Sequence, residues 1–352
     1  MKIGIVTVWF SENYGSFWQA KSLGDFLSKS SDVYYINTIN SKSSHSYKYL
    51  FSVIIRNLMK RNFKDVPNIY SKYRLFDKRL KEFEIIEGDK VDDLDLLVFG
   101  SDTLWDMQSE YFRESSSIFW GLNHNTKKIS YAPSIANTTK QDLEKMGFIR
   151  SALESFSKIS VRDKYSSQII GDFTSKKIYK VCDPTLLFDK NHYVKLLSPI
   201  KDNRFILIYL FDNISKDESL RIIDYAKQNE LQIIALGRKV SWADKTVFPD
   251  PFEFLGYFHN AEKVITNTFH GTIFSLIFEK SFISFGVNKK KIEYLLEDYD
   301  LINRFVKTGN SLDTLLNTDI DYKKINLLKS KYRDLSQDFI MKSIFEDRNK
   351  YE

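Results

Sequence analysis

Residues 1–39, MKIGIVTVWFSENYGSFWQAKSLGDFLSKSSDVYYINTI, hold one complete unit of strand, loop, helix and strand. Residues 3–8 are a buried-type strand, Ser11-Glu12-Asn13-Tyr14-Gly15 is a polar loop, 16–27 has helical spacing, and 33–39 is a second strand. Strands joined through a helix run parallel, and a parallel sheet is covered by helices on both faces. The alternation continues outward, with strands expected at 94–99, 128–132 and 159–161, each ending in a polar loop. Past a helix-like stretch at 190–197, Ser198-Pro199 and Lys201-Asp202-Asn203 predict a linker. A second series follows: strands at 205–210, 232–236, 263–266 and 281–285, helices at 251–260 and 270–278, and a helical tail from Ser311. The fold class is therefore α/β with parallel sheets, in two domains, 1–198 and 199–352.

Composition agrees. The chain has 352 residues, 43% hydrophobic and 28% charged, enough apolar matter for two cores and unlike a disordered chain. Its single cysteine, Cys182, forms no internal disulfide and supplies no Cys-rich metal site, so a reducing cytoplasmic location is expected. No run of 18 apolar residues occurs, and the N-terminus lacks the pattern of a signal peptide. The formal charge of +6, from 52 basic and 46 acidic residues, suits an anionic substrate; without a basic stripe interleaved with aromatics, no nucleic-acid partner is expected. Residues 48–64 place Phe51, Ile54, Ile55, Leu58 and Met59 on one helical face and Lys48, Arg56, Lys60, Arg61 and Lys64 on others. That is the pattern of a helix on an anionic membrane, or of one packed on its own domain.

The absent motifs prune the chemistry. There is no phosphate loop, dinucleotide turn, nucleophile elbow or zinc helix, and the five histidines show no metal spacing, so no metal and no cofactor are expected. Four strand ends remain. In Val264-Ile265-Thr266-Asn267-Thr268-Phe269-His270-Gly271-Thr272 a helix begins beside His270, so the positive end of its dipole and an imidazole meet at one spot. A bound phosphate or carboxylate there favours the charged imidazole and loads a general acid; the alternative is a helix cap with a surface histidine. Phe99-Gly100-Ser101-Asp102-Thr103-Leu104-Trp105 puts Asp102 at a sheet edge beside an apolar ring, where it could activate a hydroxyl, grip a sugar, or merely cap a helix. Arg162, directly after Ile159-Ser160-Val161, offers a planar cation to an anionic ligand, or to Asp163 or another neighbour in a structural ion pair. In Asn13-Tyr14-Gly15-Ser16 the glycine admits a ligand close to the backbone.

In this order these stretches resemble the polysaccharide pyruvyl transferase family. The resemblance covers most of the chain: Asn13-Tyr14-Gly15 with Gln19-Ala20; residues 99–106, similar to the family's Gly-Ser-Asp-Gln-Val-Trp-Asn; residues 127–132; Ile159-Ser160-Val161-Arg162; Asp183-Pro184-Thr185-Leu186-Leu187; and residues 269–275. It implies two Rossmann-like domains facing across a GT-B-like cleft, with the last helix packing back on the first domain. It also implies transfer of pyruvyl from phosphoenolpyruvate, a co-substrate, to a sugar of a surface or capsular polysaccharide or of its lipid-linked precursor, giving a ketal and phosphate.

Carried over, His270 is the acid at the donor, Arg162 holds its charge, and Asp102 faces the acceptor, with a role as base that is our inference. The matching positions make Asn13, Gly15, Ser134, Asn267, Thr268 and Gly271 donor-binding, and Tyr14, Ser101 and Trp105 acceptor-binding. The chain departs from the pattern at Thr268, where some relatives carry arginine, at Asn267 in place of aspartate, at Thr103-Leu104 in place of Gln-Val, and at Pro133. Two other readings of the scaffold are a glycosyltransferase using a nucleotide sugar and a non-catalytic glycan-binding protein.

Overall fold

The computed structural model describes residues 1–38, 54–55, 59, 66–122, 124–286, 289–307 and 312–345. The stretch 48–64, on which membrane contact was expected, lies outside them except for Ile54, Ile55 and Met59. The chain forms two units: the described residues of Met1–Phe63, Leu80–Leu187 and Ser330–Glu352, and those of Lys64–Arg79 and Phe188–Lys329. In chain order the main helices are α1 (Tyr14–Leu27), α2 (Val66–Leu80), α3 (Lys164–Gly171), α4 (Lys190–Leu196), α5 (Lys216–Gln228), α6 (Pro251–Asn260), α7 (Phe269–Ile277), α8 (Lys290–Asp298) and α9 (Tyr322–Phe345). No described helix is long and apolar enough to cross a membrane.

In the first unit β1 (Lys2–Val6), β2 (Asp32–Ile36), β3 (Ile85–Ile86), β4 (Leu96–Phe99) and β5 (Lys128–Ser130) form a parallel sheet in the order β3-β2-β1-β4-β5. β4 reads Leu-Leu-Val-Phe because both its faces are covered; all four side chains are buried. The parallel pair β6 (Ile159–Val161) and β7 (Ile178–Lys180) adjoins through a bridge from Ile129 to Lys158. Serine hydroxyls complete that junction: Ser130 Oγ donates to Ser160 O (2.9 Å) and Ser160 Oγ to Ser130 O (2.7 Å). The strand order reverses between β1 and β4, and beyond the carboxyl ends of such a pair a ligand crevice is expected.

The second unit repeats the plan with β8 (Phe205–Tyr209), β9 (Gln232–Leu236), β10 (Lys245–Val247), β11 (Lys263–Thr266), β12 (Ser281–Phe285) and β13 (Phe305–Val306), all parallel in the order β10-β9-β8-β11-β12-β13. One core gathers Ile206, Ile208, Ile222, Ile233, Ile265 and Ile283. Elsewhere in the unit aromatic rings interlock, with Phe254 of α6 at 5.2 Å from Phe274 of α7 and 5.5 Å from Tyr209 of β8. α6 starts where it does because Asp250 caps its first turn in a capping box and Pro251 needs no amide partner.

The packing divides the chain at Leu187, not at the expected 198/199. α4 packs on α6, Ser198 N donates to Phe252 O (3.1 Å), and Tyr257 Oη donates to Asp202 Oδ2 (2.9 Å), so the expected linker is seated on the second unit. Residues 66–79 of α2 also join that unit: the Arg79 guanidinium pairs with Asp250 (2.7 Å) and lies 4.1 Å over the Phe252 ring. A helix belongs where its apolar face is buried, so proline and polar runs need not mark the boundary.

Candidate functional site

The first group of candidate residues lies at the β1/β4 reversal. Gln19, buried on α1, donates through Nε2 to Thr7 Oγ1 (3.1 Å) and Ser16 O (3.0 Å), and through Oε1 accepts from Ser101 Oγ (2.9 Å) and Ser101 N (3.2 Å). Thr7 Oγ1 donates onward to Ser101 O (3.1 Å). This polar lattice fixes the turn after β4, where Gly100 is obligatory: its φ is 143° and a Cβ would stand 1.8 Å from Tyr131 O.

Asp102 follows at φ 81°, a region that costs a side-chain-bearing residue energy and that clusters at functional sites. Its Oδ2 accepts from Ser16 Oγ (2.8 Å) and its Oδ1 from Thr103 N (2.8 Å). Arg162, arriving at the end of β6, donates from Nη1 to Asp183 Oδ2 (3.0 Å) and holds Nη2 at 3.7 Å from Asp102 Oδ1, beyond hydrogen-bond length. Thr185 fixes Asp183 in turn through N (3.1 Å) and Oγ1 (2.7 Å). The Asp102 side chain is 16% exposed against 2% for Arg162, so the carboxylate is the member that meets solvent. Of the partners foreseen for Arg162, Asp163 is not used: it caps α3 through Ser166 N (2.7 Å) and accepts from Ser134 Oγ (2.7 Å).

The second group surrounds the start of α7. Thr268 is the N-cap and accepts from Gly271 N (2.9 Å). A Cβ on Gly271 would lie 2.2 Å from Thr266 Oγ1, so only glycine lets α7 approach β11 this closely. His270, in the first turn, is buried, with its ring edge-on to Phe269 (5.3 Å). Nearby, a cavity of about 500 Å³ opens at the carboxyl ends of β8, β11, β12 and β13, with Asp212, Asn213, Asn267, Lys289 and Lys307 in its wall. Among the described residues that wall does not include His270.

Several residues expected to touch substrate make contacts that hold the local fold. Tyr14, Ser101 and Trp105 are buried, and Trp105 stacks on Trp120 (4.5 Å, 12°) with Nε1 donating to Phe119 O (3.0 Å). Asn13 accepts from Gly15 N (2.9 Å) as the cap of α1, which engages both donor-binding candidates in that loop. Ser134 is committed to Asp163, and Thr268 and Gly271 to each other. Asn267 fastens the loop after β8, accepting from Phe211 N (2.7 Å) and donating to Asp212 O (2.9 Å). Many of these contacts share one cause: side chains just past a strand satisfy the open amides and carbonyls of that edge. Conversely, Ser16, Thr7 and Asp183 join the group around Asp102 without having been assigned there. Asp183 stood in the sequence only as part of the Asp183-Pro184-Thr185-Leu186-Leu187 stretch that carries the resemblance.

Cys182 is buried, and burial pushes its thiol up to about 11, which keeps it protonated and inert near neutral pH. The titratable candidates are the Asp102 carboxylate, the Arg162 guanidinium and the His270 imidazole. The family model of polysaccharide pyruvyl transferase matches residues 13–289. The chain belongs to that family. The matched span of this pyruvyl transferase family member contains Asp102, Arg162 and His270 alike.

No curated protein matches it significantly. Among solved structures it is similar to UDP-GlcNAc 2-epimerase from Neisseria meningitidis bound to UDP-GlcNAc, at 10% identity and TM-score 0.54, covering 98% of this chain and 100% of the other. UDP-GlcNAc 2-epimerase from Methanocaldococcus jannaschii matches at 12% identity and TM-score 0.51, covering 92% and 94%. The S. aureus MnaA–UDP structure matches at 10% and 0.52, covering 99% and 97%. These likenesses establish a GT-B-like fold built from two Rossmann-like units.

Proposed function

We propose that this protein transfers the pyruvyl group of phosphoenolpyruvate to a sugar of a surface polysaccharide or of its lipid-linked precursor. Family membership supports the reaction class. The observation that carries the reading further is Asp102: a partly exposed carboxylate at a sheet reversal, held by Ser16 Oγ and Thr103 N, with a guanidinium beside it. A base for a sugar hydroxyl needs this fixed, reachable geometry.

In the proposed sequence His270 delivers a proton to the methylene carbon of phosphoenolpyruvate, which makes the neighbouring carbon electrophilic. Arg162 offsets the donor's negative charge. A sugar hydroxyl loses its proton to Asp102 and bonds to that carbon, the carbon–oxygen bond to phosphate breaks, and a second hydroxyl of the same sugar closes the ketal. Of the two hydroxyl protons released overall, one balances the proton gained by the new methyl group and the other leaves with phosphate. The reaction so balanced calls for no metal and no organic cofactor.

The test is incubation with phosphoenolpyruvate and a panel of free and lipid-linked glycosides, read by mass spectrometry for the pyruvylated sugar and by phosphate release. Product is expected with at least one acceptor. His270→Asn and Asp102→Asn are each expected to lower kcat by about 10²–10⁴-fold while leaving the fold intact. Stabilisation by nucleoside diphosphates, with no phosphate released from phosphoenolpyruvate under any acceptor, would point to glycosyl transfer instead.

A further inference from the structure

Both polar atoms of the Gln19 side chain are engaged. Oε1 accepts from Ser101 N (3.2 Å) and Ser101 Oγ (2.9 Å), and Nε2 donates to Ser16 O (3.0 Å), with Thr7 Oγ1 (3.1 Å) and Val8 O (3.3 Å) also in reach. A backbone N–H only donates and a carbonyl only accepts, so the amide has one orientation. Turned over, it would set hydrogen against hydrogen at Ser101 and lone pair against lone pair at Ser16. Gln19 is fully buried, as are Thr7 and Ser101. One side chain thus joins three segments: the chain just after β1, the first turns of α1, and the turn after β4.

These segments locate Asp102. Its carboxylate accepts from Ser16 Oγ of α1 (2.8 Å), and its backbone follows directly on Ser101. Ser101 is held at each of its hydrogen-bonding atoms, N and Oγ by Gln19 and O by Thr7 Oγ1 (3.1 Å). The φ of 81° at Asp102 is one that a side-chain-bearing residue keeps where its surroundings over-determine it. The Gln19–Ser101 and Ser16–Asp102 bonds both cross from α1 to this turn, the first buried and the second partly exposed. The buried bond sets the separation at which the exposed one is made. At a reacting group, a displacement of about 1 Å costs about 10²-fold in rate.

We propose that Gln19 is a positioning residue for Asp102: its amide sets the spacing between α1 and the turn after β4 at which the carboxylate is held. The catalytic consequence rests on Asp102 acting as the base of pyruvyl transfer, whereas the coupling of the two residues does not.

The experiment is a double-mutant cycle on the full-length protein. It combines Gln19→Met, which keeps the length of the side chain and removes its hydrogen bonds, with Asp102→Ala. Turnover is followed by mass spectrometry of the pyruvylated sugar, and the stability of the same four proteins by their denaturant midpoints. Gln19→Met is expected to lower kcat by about tenfold or more with KM within about twofold, and to lower the residual kcat of Asp102→Ala by less than about twofold. An equal factor in both backgrounds, or an unchanged kcat in Gln19→Met, overturns the proposal and leaves the amide a structural tie. A wild type that pyruvylates no glycoside defeats the pyruvyl-transfer reading instead, and stability then decides on Gln19. A midpoint shift in the double variant smaller than the sum of the single shifts upholds the coupling, and additive shifts overturn it. Should Gln19→Met fail to fold, Thr7→Val, which keeps the shape of Thr7 and removes its bonds to Gln19 and Ser101 O, takes its place in the cycle with the same outcomes.

Discussion

Trp105 carries an indole that, judged from sequence, could lie against a sugar, and the structure buries it under the very turn that presents Asp102. The difference is measurable. Trp105→Ala removes the stack on Trp120 and the bond to Phe119 O, and should cost about 3–5 kcal/mol of stability. At a temperature where the variant is still folded, acceptor KM should be unchanged. A raised KM with undiminished stability would return the indole to the acceptor. Lys280 gives a second residue-scale test. Burial pushes its ammonium down to about 8, with repulsion from Lys190 adding to the shift. Because the folded state binds this proton more weakly than the unfolded chain does, its contribution is unfavourable below about pH 8 and is relieved as pH rises toward 10.5. Wild-type stability measured by denaturant should therefore gain over that window relative to Lys280→Met. Parallel pH profiles of the two proteins would contradict the assignment.

At the scale of elements, the buried strands and capped helices were legible. β6, β9, β11 and β12 and the helix α6 fall on their expected residues, because a strand buried on both faces must be continuously apolar and Asp250-Pro251 is an unambiguous helix start. β3, β7, β10 and β13 were missed: they have two or three residues each and are mostly exposed or half-buried, so no apolar run marks them, whereas β6, equally short, is buried throughout. Residue type and strand end pointed to Asp102 and Arg162, but which hydroxyls would be consumed by capping depends on three-dimensional neighbours. Gly271 shows the packing constraint on α7. Gly271→Ala forces a methyl group into Thr266 Oγ1 and Thr268 Oγ1 and should cost about 1–3 kcal/mol. Gly147→Ala, where a Cβ meets nothing within 4 Å, should change stability by less than about 0.5 kcal/mol. Equal thermal shifts for the two would mean that α7 can retreat from β11 without penalty.

For the molecule as a whole, α9 is shared: residues 322–329 belong to the second unit and 330–345 to the first. Its later part does more than cover the first unit. Ser336 Oγ accepts from Cys182 N (2.8 Å), Gln337 Nε2 donates to Leu187 O (2.8 Å), and Arg333 Nε donates to Leu186 O (3.1 Å). These bonds grip the chain on both sides of Asp183, the residue that holds Arg162. Phe339, Ile340 and Ile344 are buried as well, each contributing about 1.5–3 kcal/mol. Deleting everything after residue 329 thus removes an amount comparable with the whole stability of a typical domain, about 5–15 kcal/mol, and the first unit should fail to fold. Ser336→Ala is the gentler probe. It leaves the Cys182 amide without its acceptor, should cost about 1–3 kcal/mol, and should lower kcat more than it raises KM, since Arg162 loses its fixed support before any substrate contact is lost. A truncated protein with the wild-type melting profile, or a Ser336→Ala variant with wild-type turnover, would show that Asp183 is held by its own turn alone and that the C-terminal helix has no part in shaping the site.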